Sequence, residues 1–475
     1  MDIIEIREGL TRLYSQRFGM AGDIGLSVIE LPQAGSDRRY FRLSGDAGSC
    51  IGTYAPEPDE GRCFISLAGA FGDAGRAVPA ILAANSDATL YLQEDLGDRS
   101  LFSMLGSEDA EMYIKETLDR LVELQKTPED VWKGLCMSEP FCRRQVMWDL
   151  NYFKYEFLKP AGVTFDENRL EDDFEGLAER LLAIPQRYQG FMMRDCQSRN
   201  VMMSERGPVF IDFQGGRRGP SLYDAVSFLW QARAGFDREF RLRLLGYYAD
   251  RYCGGDSAMI DGMLSSLSDM VLFRTLQVLG AYGFRGLVQH RAHFILSIPQ
   301  ALGNLKVLLD EGGVDMYPEL RRAAEKLVSD SRFKAKQNTG RLRVEVFSFS
   351  YKKGYPEDLS GNGGGFAFDC RAMHNPGRYP QYRSLTGRDL PVMEFLEKRG
   401  EVQAFLRGAW SLTDPAVERY IARGFSNIQI SFGCTGGQHR SVYCAEATAR
   451  HIRTVFPEAD VVLLHREQSS GTRKS

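Results

Sequence analysis

The chain has 475 residues, of which 43% are hydrophobic and 26% charged, and its formal net charge is −4. This length predicts two or three domains, and the composition is typical of a folded globular protein. No apolar run reaches the roughly 18 residues that a membrane span needs, and the nine cysteines form no C-x-x-C pair. We therefore expect a cytoplasmic protein without a membrane segment.

The first part of the chain reads as a small sheet followed by helices. Residues 1–19 form an amphipathic pattern, and polar and apolar residues then indicate strands near 34–43, 49–54 and 88–94. A helix is predicted over about 60–71, and long helical patterns cover 258–279 and 291–309. This order predicts a bilobal kinase with an N-terminal β lobe and a C-terminal helical lobe.

One polar motif carries the chemistry of this part. Asp195 is followed five residues later by Asn200, and after a short hairpin by Asp212 within an apolar-Asp-Phe sequence. A kinase needs one aspartate to accept the proton of the acceptor hydroxyl, an asparagine to bind Mg²⁺, and a second aspartate to join the metal to the phosphates of ATP. The spacing predicts these three roles for Asp195, Asn200 and Asp212.

At these residues the chain resembles the aminoglycoside phosphotransferase-like kinases. The segments GSDRRYFR (35–42), QEDLGD (93–98), RDCQSRN (194–200) and LYD (222–224) are most similar to kinases that act on N-acetylated amino sugars. The resemblance implies ATP and Mg²⁺ as cofactors and a sugar as substrate. It also implies that Asp224 supports the catalytic loop and that ATP is bound by Gly35, Ser36, Asp37, Arg38, Arg39, Gln93 and Glu94.

Two features leave an alternative open. The strand over 49–54 contains no lysine to contact the phosphates, so an arginine of the preceding turn (Arg38, Arg39 or Arg42) is the candidate replacement, and the usual helix partner, Glu60, is left without an assignment. The alternative is a pseudokinase that acts as a regulatory scaffold. The acceptor is not specified, although 274–277 and 282–285 are expected near the cleft, as sugar-binding or as packing residues.

A second domain follows a polar stretch. We predict a kinase domain over 1–330, a linker over 331–341 and a separate α/β domain over 342–468. The charge changes at the same point, because residues 341–475 carry 19 Lys and Arg against 14 Asp and Glu, while the preceding residues carry 40 against 49. A basic domain suits an anionic ligand.

The loop between a strand at 428–432 and a helix at 442–453 is the candidate anion site. Backbone N–H groups and a helix N-terminus favour a phosphate there, and an arginine adds a planar set of donors. Cysteine and arginine also have the Cys-x5-Arg spacing of cysteine phosphatases, but residue 433 is glycine where tyrosine phosphatases have histidine. Binding or hydrolysis both remain open for the residues Cys434, Thr435, Gly436, Gly437, Gln438, His439, Arg440 and Ser441.

With this loop, the segments FSFSYKKG (347–354), FDCR (368–371) and RSLTG (383–387) resemble the C-terminal domain of the RNase adapter RapZ. The resemblance implies a pocket for a phosphorylated amino sugar, with Asp369 and Arg371 as sugar contacts on one side of a strand, and an RNA or protein partner. The P-loop motif of that family's N-terminal domain, G-x4-G-K-[ST], does not occur in this chain.

Overall fold

The computed structural model describes residues 1–19, 25–32, 37–135, 139–289, 291–333, 341–356, 365–398 and 400–468. The chain divides into two compact units. The first consists of Met1–Gln289 and Ser297–Lys334, and the second of the remaining residues.

The first unit opens with a five-stranded antiparallel sheet. Its strands are β1 (Ser27–Glu30), β2 (Arg39–Gly45), β3 (Gly48–Tyr54), β4 (Ile81–Ala84) and β5 (Leu90–Glu94), in the order β1-β2-β3-β5-β4. The first helix, α1 (Ile3–Phe18), begins at a capping box formed by Asp2 and Glu5. Its buried residues Ile6, Leu10 and Tyr14 pack in one apolar cluster with residues of β2, β3 and β5. Burial of this face stabilises the helix on the sheet.

Helices form the rest of this unit around one large apolar core. They are α2 (Pro58–Asp73), α3 (Leu101–Met104), α4 (Ala110–Gln125), α5 (Glu129–Trp132), α6 (Arg143–Phe153), α7 (Glu167–Leu182), α8 (Leu222–Leu229), α9 (Arg238–Cys253), α10 (Ser257–Leu264), α11 (Leu267–Tyr282), α12 (Ala292–Asp310) and α13 (Pro318–Ser329). Two short antiparallel pairs lie among them. One joins β6 (Gln189–Met192) to β9 (Arg217–Pro220), and the other joins β7 (Val201–Ser204) to β8 (Gly207–Phe210). The loop between β6 and β7 contains the Asp195 motif.

One predicted helix is divided in the structure. The pattern over 258–279 forms α10 and α11, with a break at Ser265 and Ser266. The hydroxyl of Ser265 donates to the carbonyl of Gly262 (2.8 Å), and that of Ser266 donates to the carbonyl of Met263 (3.1 Å). Serine hydroxyls compete in this way with the backbone ladder, so apolar periodicity alone did not reveal the break.

The second unit is a four-stranded parallel sheet with helices. Its elements are β10 (Arg343–Ser350), β11 (Gly365–Asp369), α14 (Leu390–Glu397), α15 (Glu401–Ala422), β12 (Asn427–Cys434), α16 (Arg440–Val455) and β13 (Asp460–His465). The strand order is β11-β12-β10-β13, and each neighbouring pair is parallel. The carboxyl ends of all four strands therefore lie at one edge, where ligands of open α/β sheets bind. The predicted fold class, a kinase-like α+β fold followed by a separate α/β domain, is confirmed.

Candidate functional site

The catalytic loop of the first unit is held by a buried carboxylate. Asp224 on α8 accepts hydrogen bonds from the backbone N–H of Met193 (2.8 Å) and of Arg194 (2.9 Å). Arg194 has a φ of 73°, which is costly for a residue with a side chain, and the two bonds compensate for this conformation. Burial raises the pKa of Asp224 to about 7, although the same N–H groups favour its charged form. Asp224 thus holds the backbone of Met193 and Arg194, and its support of catalysis stays a prediction.

The loop brings the three predicted catalytic residues together. The Asn200 amide donates to the backbone carbonyl of Asp195 (2.9 Å) and lies 3.4 Å from Oδ2 of Asp212. The Asp195 side chain is 55% exposed, as an acceptor-binding base requires. Asp212 has a φ of 63°, and within the described residues its Oδ2 has one hydrogen-bond contact, the long one to Asn200. The Asn200 amide and a carboxylate oxygen of Asp212 therefore lie next to each other.

Arg38 lies between Asp212 and helix α2. It is buried, with 7% exposure, it donates from Nη2 to Oδ1 of Asp212, and its Nε lies 3.5 Å from the Glu60 carboxylate. Gln214 joins the same two acids, at 2.9 Å from Asp212 and 3.2 Å from Glu60. The buried Nε of Arg38 makes no hydrogen bond within the described residues. Arg38 thus gives Glu60 a partner and places a positive charge beside Asp212, and its role in place of the lysine missing from β3 stays a prediction.

These contacts determine the charge of Asp212. Burial raises the pKa of its carboxyl group, but the positive charge of Arg38 and the hydrogen bond from Gln214 outweigh burial, and the net pKa is lowered. Asp212 is therefore ionised at neutral pH, which is the state that binds a divalent cation.

The other predicted phosphate-binding residues are placed differently. Arg39 pairs with Glu30 (2.7 Å), and Arg42 pairs with Asp95 (2.8 Å) and with Asp98, so Arg38 alone among the three arginines reaches Asp212. Asp37 is exposed. Gly35 and Ser36 lie outside the described residues.

Gln93 and Glu94, two of the residues predicted to bind ATP, end strand β5. The Gln93 amide donates to the hydroxyl of Thr53 on β3 (3.3 Å), and its buried Oε1 makes no hydrogen bond in the described part of the chain. Glu94 forms an ion pair with Arg206 (2.6 Å) on the β7–β8 turn. This ion pair joins the end of β5 to the β7–β8 hairpin. An adenine-facing role for Gln93 and Glu94 stays a prediction.

The acceptor side contains one residue that the sequence analysis missed, Asp149, and two from the predicted segment 274–277. Asp149 on α6 accepts from Nη2 of Arg194 (3.0 Å) and from the Gln277 amide (2.9 Å). Arg274 on α11 donates to the Tyr223 hydroxyl (3.1 Å) and lies 3.8 Å from Oδ1 of Asp195. The sequence analysis expected 274–277 near the cleft, as sugar-binding or as packing residues, but nothing in the pattern of α6 distinguished Asp149 from a surface acid.

In the second unit, the predicted loop lies at the carboxyl edge of the sheet. Gly437 has a φ of 67°, and a Cβ there would lie 2.3 Å from Cγ of Glu467 and 3.0 Å from the backbone N of Ser350. The Ser350 hydroxyl donates to the carbonyl of Thr435 (2.7 Å). Gly436 has open space around it. Only glycine fits position 437, because any side chain would meet both neighbours.

Cys434 lies at the base of the loop with 3% exposure. Its Sγ is 3.1 Å from the Ser441 hydroxyl. Burial raises the pKa of the thiol, but hydrogen bonds from Ser441 and from the backbone N–H of Gly437, with the charge of Arg440, lower it by more. The loop therefore favours negative charge at its centre, as the sequence predicts for an anion site.

Arg440 connects the loop to the segment after β11. Its Nη1 donates to the carbonyls of Arg371 (2.9 Å) and Met373 (2.8 Å), and its buried Nε makes no hydrogen bond among the described residues. A cavity of about 270 Å³ lies beside it, lined in part by Arg371, Arg378, Arg440, His374 and Thr435. Three arginines and one acid, Glu401, line this cavity, so its net charge is positive even though Arg371 pairs with Asp369.

Two expectations for this unit need correction. Asp369 ends β11, but Arg371 lies in a single 3₁₀ turn rather than on the strand, and the two side chains pair with each other at 2.7 Å. The guanidinium carbon of Arg371 also lies over the Tyr351 ring, 4.1 Å from the ring centroid. His439 is not turned freely towards the loop, because its Nε2 bonds to the carbonyl of Tyr382 (2.8 Å). Gln438 is exposed.

Comparison with known families agrees with both units. Residues 27–259 match the sequence model of the phosphotransferase enzyme family, and residues 342–469 match that of the RapZ C-terminal domain. The chain thus contains a region similar to the phosphotransferase enzyme family, followed by a region similar to the RapZ C-terminal domain. Both resemblances seen in the sequence are confirmed, and so is the prediction of a phosphotransferase at the level of its family.

Curated relatives cover only part of this chain. A nucleotide-binding protein of Xylella fastidiosa is 34% identical over 188 residues, which are 37% of this chain and 60% of that protein. One from Xanthomonas campestris is 42% identical over 132 residues, or 28% of this chain and 44% of that protein. The chain thus spans about 60% of the length of the first of these relatives.

Similar solved structures include a choline kinase of Cryptosporidium parvum, with 12% identity, a TM-score of 0.48, and coverage of 67% of this chain and 99% of that one. A Plasmodium vivax ethanolamine kinase has 12% identity and a TM-score of 0.45, covering 60% and 82%. Within the described residues, no helix is long and apolar enough to cross a membrane.

Proposed function

We propose that the first unit is an ATP- and Mg²⁺-dependent kinase that phosphorylates a hydroxyl of a sugar, an N-acetylated amino sugar or hexose, in the cytoplasm. The observation that carries this proposal is the convergence of Asp195, Asn200 and Asp212 with the Arg38–Glu60 pair. A chance set of turn residues would not include a buried arginine joined to both an acid of helix α2 and the second aspartate of the motif.

The donor set fits the two cofactors. Asn200 and Asp212 offer one amide and one carboxylate, and no group of three or more His, Cys, Asp or Glu side chains that could hold a metal occurs in the described part of the chain. Such a pair suits Mg²⁺, which keeps waters and takes substrate phosphates as further ligands. When bound, Mg²⁺ neutralises charge on the β- and γ-phosphates.

The chain's own residues then have distinct tasks. Asp195 accepts the proton of the attacking hydroxyl, because its carboxylate is exposed and its backbone carbonyl is held by the Asn200 amide (2.9 Å). Arg38 supplies the positive charge for the ATP phosphates. Its guanidinium lies between Asp212 and Glu60, beside the carboxylate proposed to bind the metal, which supports a phosphate contact from this side of the site. Asp224 fixes the loop and does not touch substrate.

Helix α6, which carries Asp149, also carries an exposed aromatic surface that would suit a sugar ring. Trp148, 60% exposed, stacks on Tyr152 with ring centres 5.0 Å apart, and both lie on the helix that carries Asp149. Flat aromatic faces and precisely placed polar groups are the usual elements of a carbohydrate or other small-molecule site.

The alternative, a pseudokinase scaffold, is tested by ATP consumption with N-acetylglucosamine, N-acetylgalactosamine, N-acetylmuramate, glucosamine and neutral hexoses. Asp195→Asn is expected to lower kcat by on the order of 10²–10⁴, and Asp212→Ala to remove productive Mg·ATP binding. Asp130→Asn, an exposed acid of α5, is the matched control. If no sugar stimulates turnover above the Asp212→Ala background, the kinase proposal is wrong.

For the second unit we propose binding of a phosphorylated amino sugar. The arginine-lined cavity beside Arg440, the lowered pKa of Cys434 and the buried Nε of Arg440, which makes no hydrogen bond among the described residues, support an anion there. We expect the ligand to be the product of the kinase or a downstream metabolite. An RNA or protein partner would recognise the ligand-bound state. Regulation requires that the ligand bind two states of the protein with different affinity.

Calorimetry on the full chain with glucosamine 6-phosphate tests this second proposal. Arg440→Ala is expected to cost about 1.5–3 kcal/mol of binding free energy. Because Arg440 also holds two backbone carbonyls, Arg378→Gln in the same cavity is a second variant with less risk to the fold. Arg407→Ala, exposed on α15, is the control. Binding unaffected by both cavity variants contradicts the proposal, and release of inorganic phosphate indicates hydrolysis at Cys434 instead.

A further inference from the structure

Gln214 lies in a tight turn directly after the second aspartate of the catalytic motif. The backbone N–H of Gly216 closes this turn by donating to the carbonyl of Phe213 (2.9 Å), and Gln214 follows Asp212 by two positions. The Phe213 side chain is fully buried, with its ring centre 4.9 Å from that of Phe64 on α2. Because the turn and the buried ring fix the backbone around Gln214, its side chain has a defined place beside Asp212.

The amide nitrogen of Gln214 donates to two carboxylates at once. It contacts Oδ1 of Asp212 at 2.9 Å, and it contacts Oε1 of Glu60, in the first turn of α2, at 3.2 Å. A glutamine amide nitrogen carries two N–H donors, so these two bonds account for both of them. Arg38 joins the same two acids from another direction. One amide and one guanidinium therefore hold Asp212 and Glu60 together.

The two oxygens of the Asp212 carboxylate consequently have different surroundings. Oδ1 accepts hydrogen bonds from both Arg38 and Gln214. Within the described residues, Oδ2 has one hydrogen-bond contact, at 3.4 Å to the Asn200 amide. A carboxylate that binds a metal is normally kept in orientation by hydrogen bonds from outer partners. Oδ2, on the side of Asn200, is therefore the oxygen that is left for a cation.

A neutral amide suits this position better than the alternatives. Asp212 and Glu60 bring two negative charges together against the single positive charge of Arg38. A carboxylate in place of Gln214 would add a third negative charge and no donor, and a lysine or arginine would repel the incoming cation. A glycine would offer no side-chain donor. Gln214 fixes both acids and leaves the charge of the site unchanged.

We propose that Gln214 is a positioning residue for the divalent cation of this kinase: it fixes Oδ1 of Asp212, so that Oδ2, on the side of Asn200, receives the cation. The inference rests on the proposed kinase function and adds a residue to its metal site. Because the same amide bonds to Glu60, the position of helix α2 also contributes to cation binding.

Binding of Mn²⁺ to the full chain with a non-hydrolysable ATP analogue tests this role and needs no acceptor. Mn²⁺ replaces Mg²⁺ because its electron paramagnetic resonance signal distinguishes free from bound metal. Gln214→Met keeps the length of the side chain and removes both donors without adding charge. Loss of an outer hydrogen-bond partner weakens metal binding by about 10- to 100-fold, so the dissociation constant for Mn²⁺ should rise by that factor.

Two controls separate positioning from damage to the fold. Gln186→Met makes the same substitution at an exposed position in the turn Gln186–Tyr188, and it should bind Mn²⁺ as the native protein does. The affinity for the ATP analogue is also measured without metal, by calorimetry. A residue that only orients a metal ligand leaves this affinity unchanged, so Gln214→Met and the native protein should give the same value.

Three results would overturn the inference. Equal Mn²⁺ affinity in Gln214→Met and the native protein, with binding abolished by Asp212→Ala, removes the role of Gln214 but leaves the kinase proposal standing. A loss of metal-free analogue binding in Gln214→Met as large as the loss of Mn²⁺ binding shows that Gln214 is only structural. Absence of Mn²⁺ binding to the native protein, or binding that persists in Asp212→Ala, removes the proposed metal site and this inference together.

Discussion

Replacement of Arg38 by glutamine should damage ATP binding more than acceptor binding. Arg38 donates to Asp212 and lies 3.5 Å from Glu60, and Gln214 links the same two acids. Without the guanidinium, two carboxylates face each other with only an amide between them. The variant therefore loses the positive charge proposed for the phosphates and gains repulsion within the site.

The expected loss of stability depends on how exposed the side chains of Asp212 and Glu60 are. The Asp212 and Glu60 side chains are 33% and 37% exposed, so solvent screens part of the lost attraction. The free energy of unfolding should fall by about 1–2 kcal/mol, below the cost of breaking a fully buried pair. Loss of one charged hydrogen bond to phosphate, about 1.5–3 kcal/mol, should raise the KM for ATP by roughly 10- to 150-fold.

Steady-state kinetics with ATP and acceptor varied separately is the assay, with Arg39→Gln as the matched comparison because Arg39 pairs with Glu30. Arg38→Lys should recover part of the ATP affinity but not the double contact. If Arg38→Gln leaves both the KM for ATP and kcat unchanged, the assignment of Arg38 to the phosphates is refuted.

The same variant makes a prediction about pH. In the native protein Arg38 holds the pKa of Asp212 below its ordinary value, so the stability that Asp212 contributes is present above about pH 4 and is lost as pH falls through the folded pKa. The stability deficit of Arg38→Gln should therefore be largest near neutral pH and shrink below about pH 4. Urea denaturation at several pH values measures it, and a deficit independent of pH would contradict the electrostatic explanation.

Two further substitutions separate positioning from chemistry. Asp224→Asn removes a carboxylate that accepts hydrogen bonds from two backbone N–H groups. It should therefore lower kcat and the free energy of unfolding, the latter by roughly 1–3 kcal/mol, and leave the KM for ATP little changed. Equal kcat in the variant and the native enzyme would contradict the supporting role of Asp224. Gly437→Ala places a Cβ 2.3 Å from Cγ of Glu467 at a φ of 67° and should abolish phosphosugar binding measured by calorimetry, whereas Gly436→Ala, with open space around it, should bind normally. Equal binding by both glycine variants would show that the loop shape is not required.

The sequence by itself determined those parts of the protein in which the chemistry is local. Asp195, Asn200 and Asp212 lie on one loop and the hairpin that follows, so their spacing already implied their meeting. The same holds for the anion loop, because a strand, two glycines and a helix start are consecutive from Asn427 to Val455. The two-unit organisation was visible as well, since a polar stretch and a change of charge separate the patterns.

Only the tertiary structure decided which distant residues complete these sites. Arg38 and Asp212 are 174 positions apart, and among Arg38, Arg39 and Arg42 no sequence pattern distinguishes the one that reaches the metal side. Packing decided this, because β2 pairs Arg39 with Glu30 and Arg42 with Asp95 and leaves Arg38 buried against Glu60. Side-chain contacts of this kind depend on how elements distant in sequence meet, and that information is absent from local periodicity.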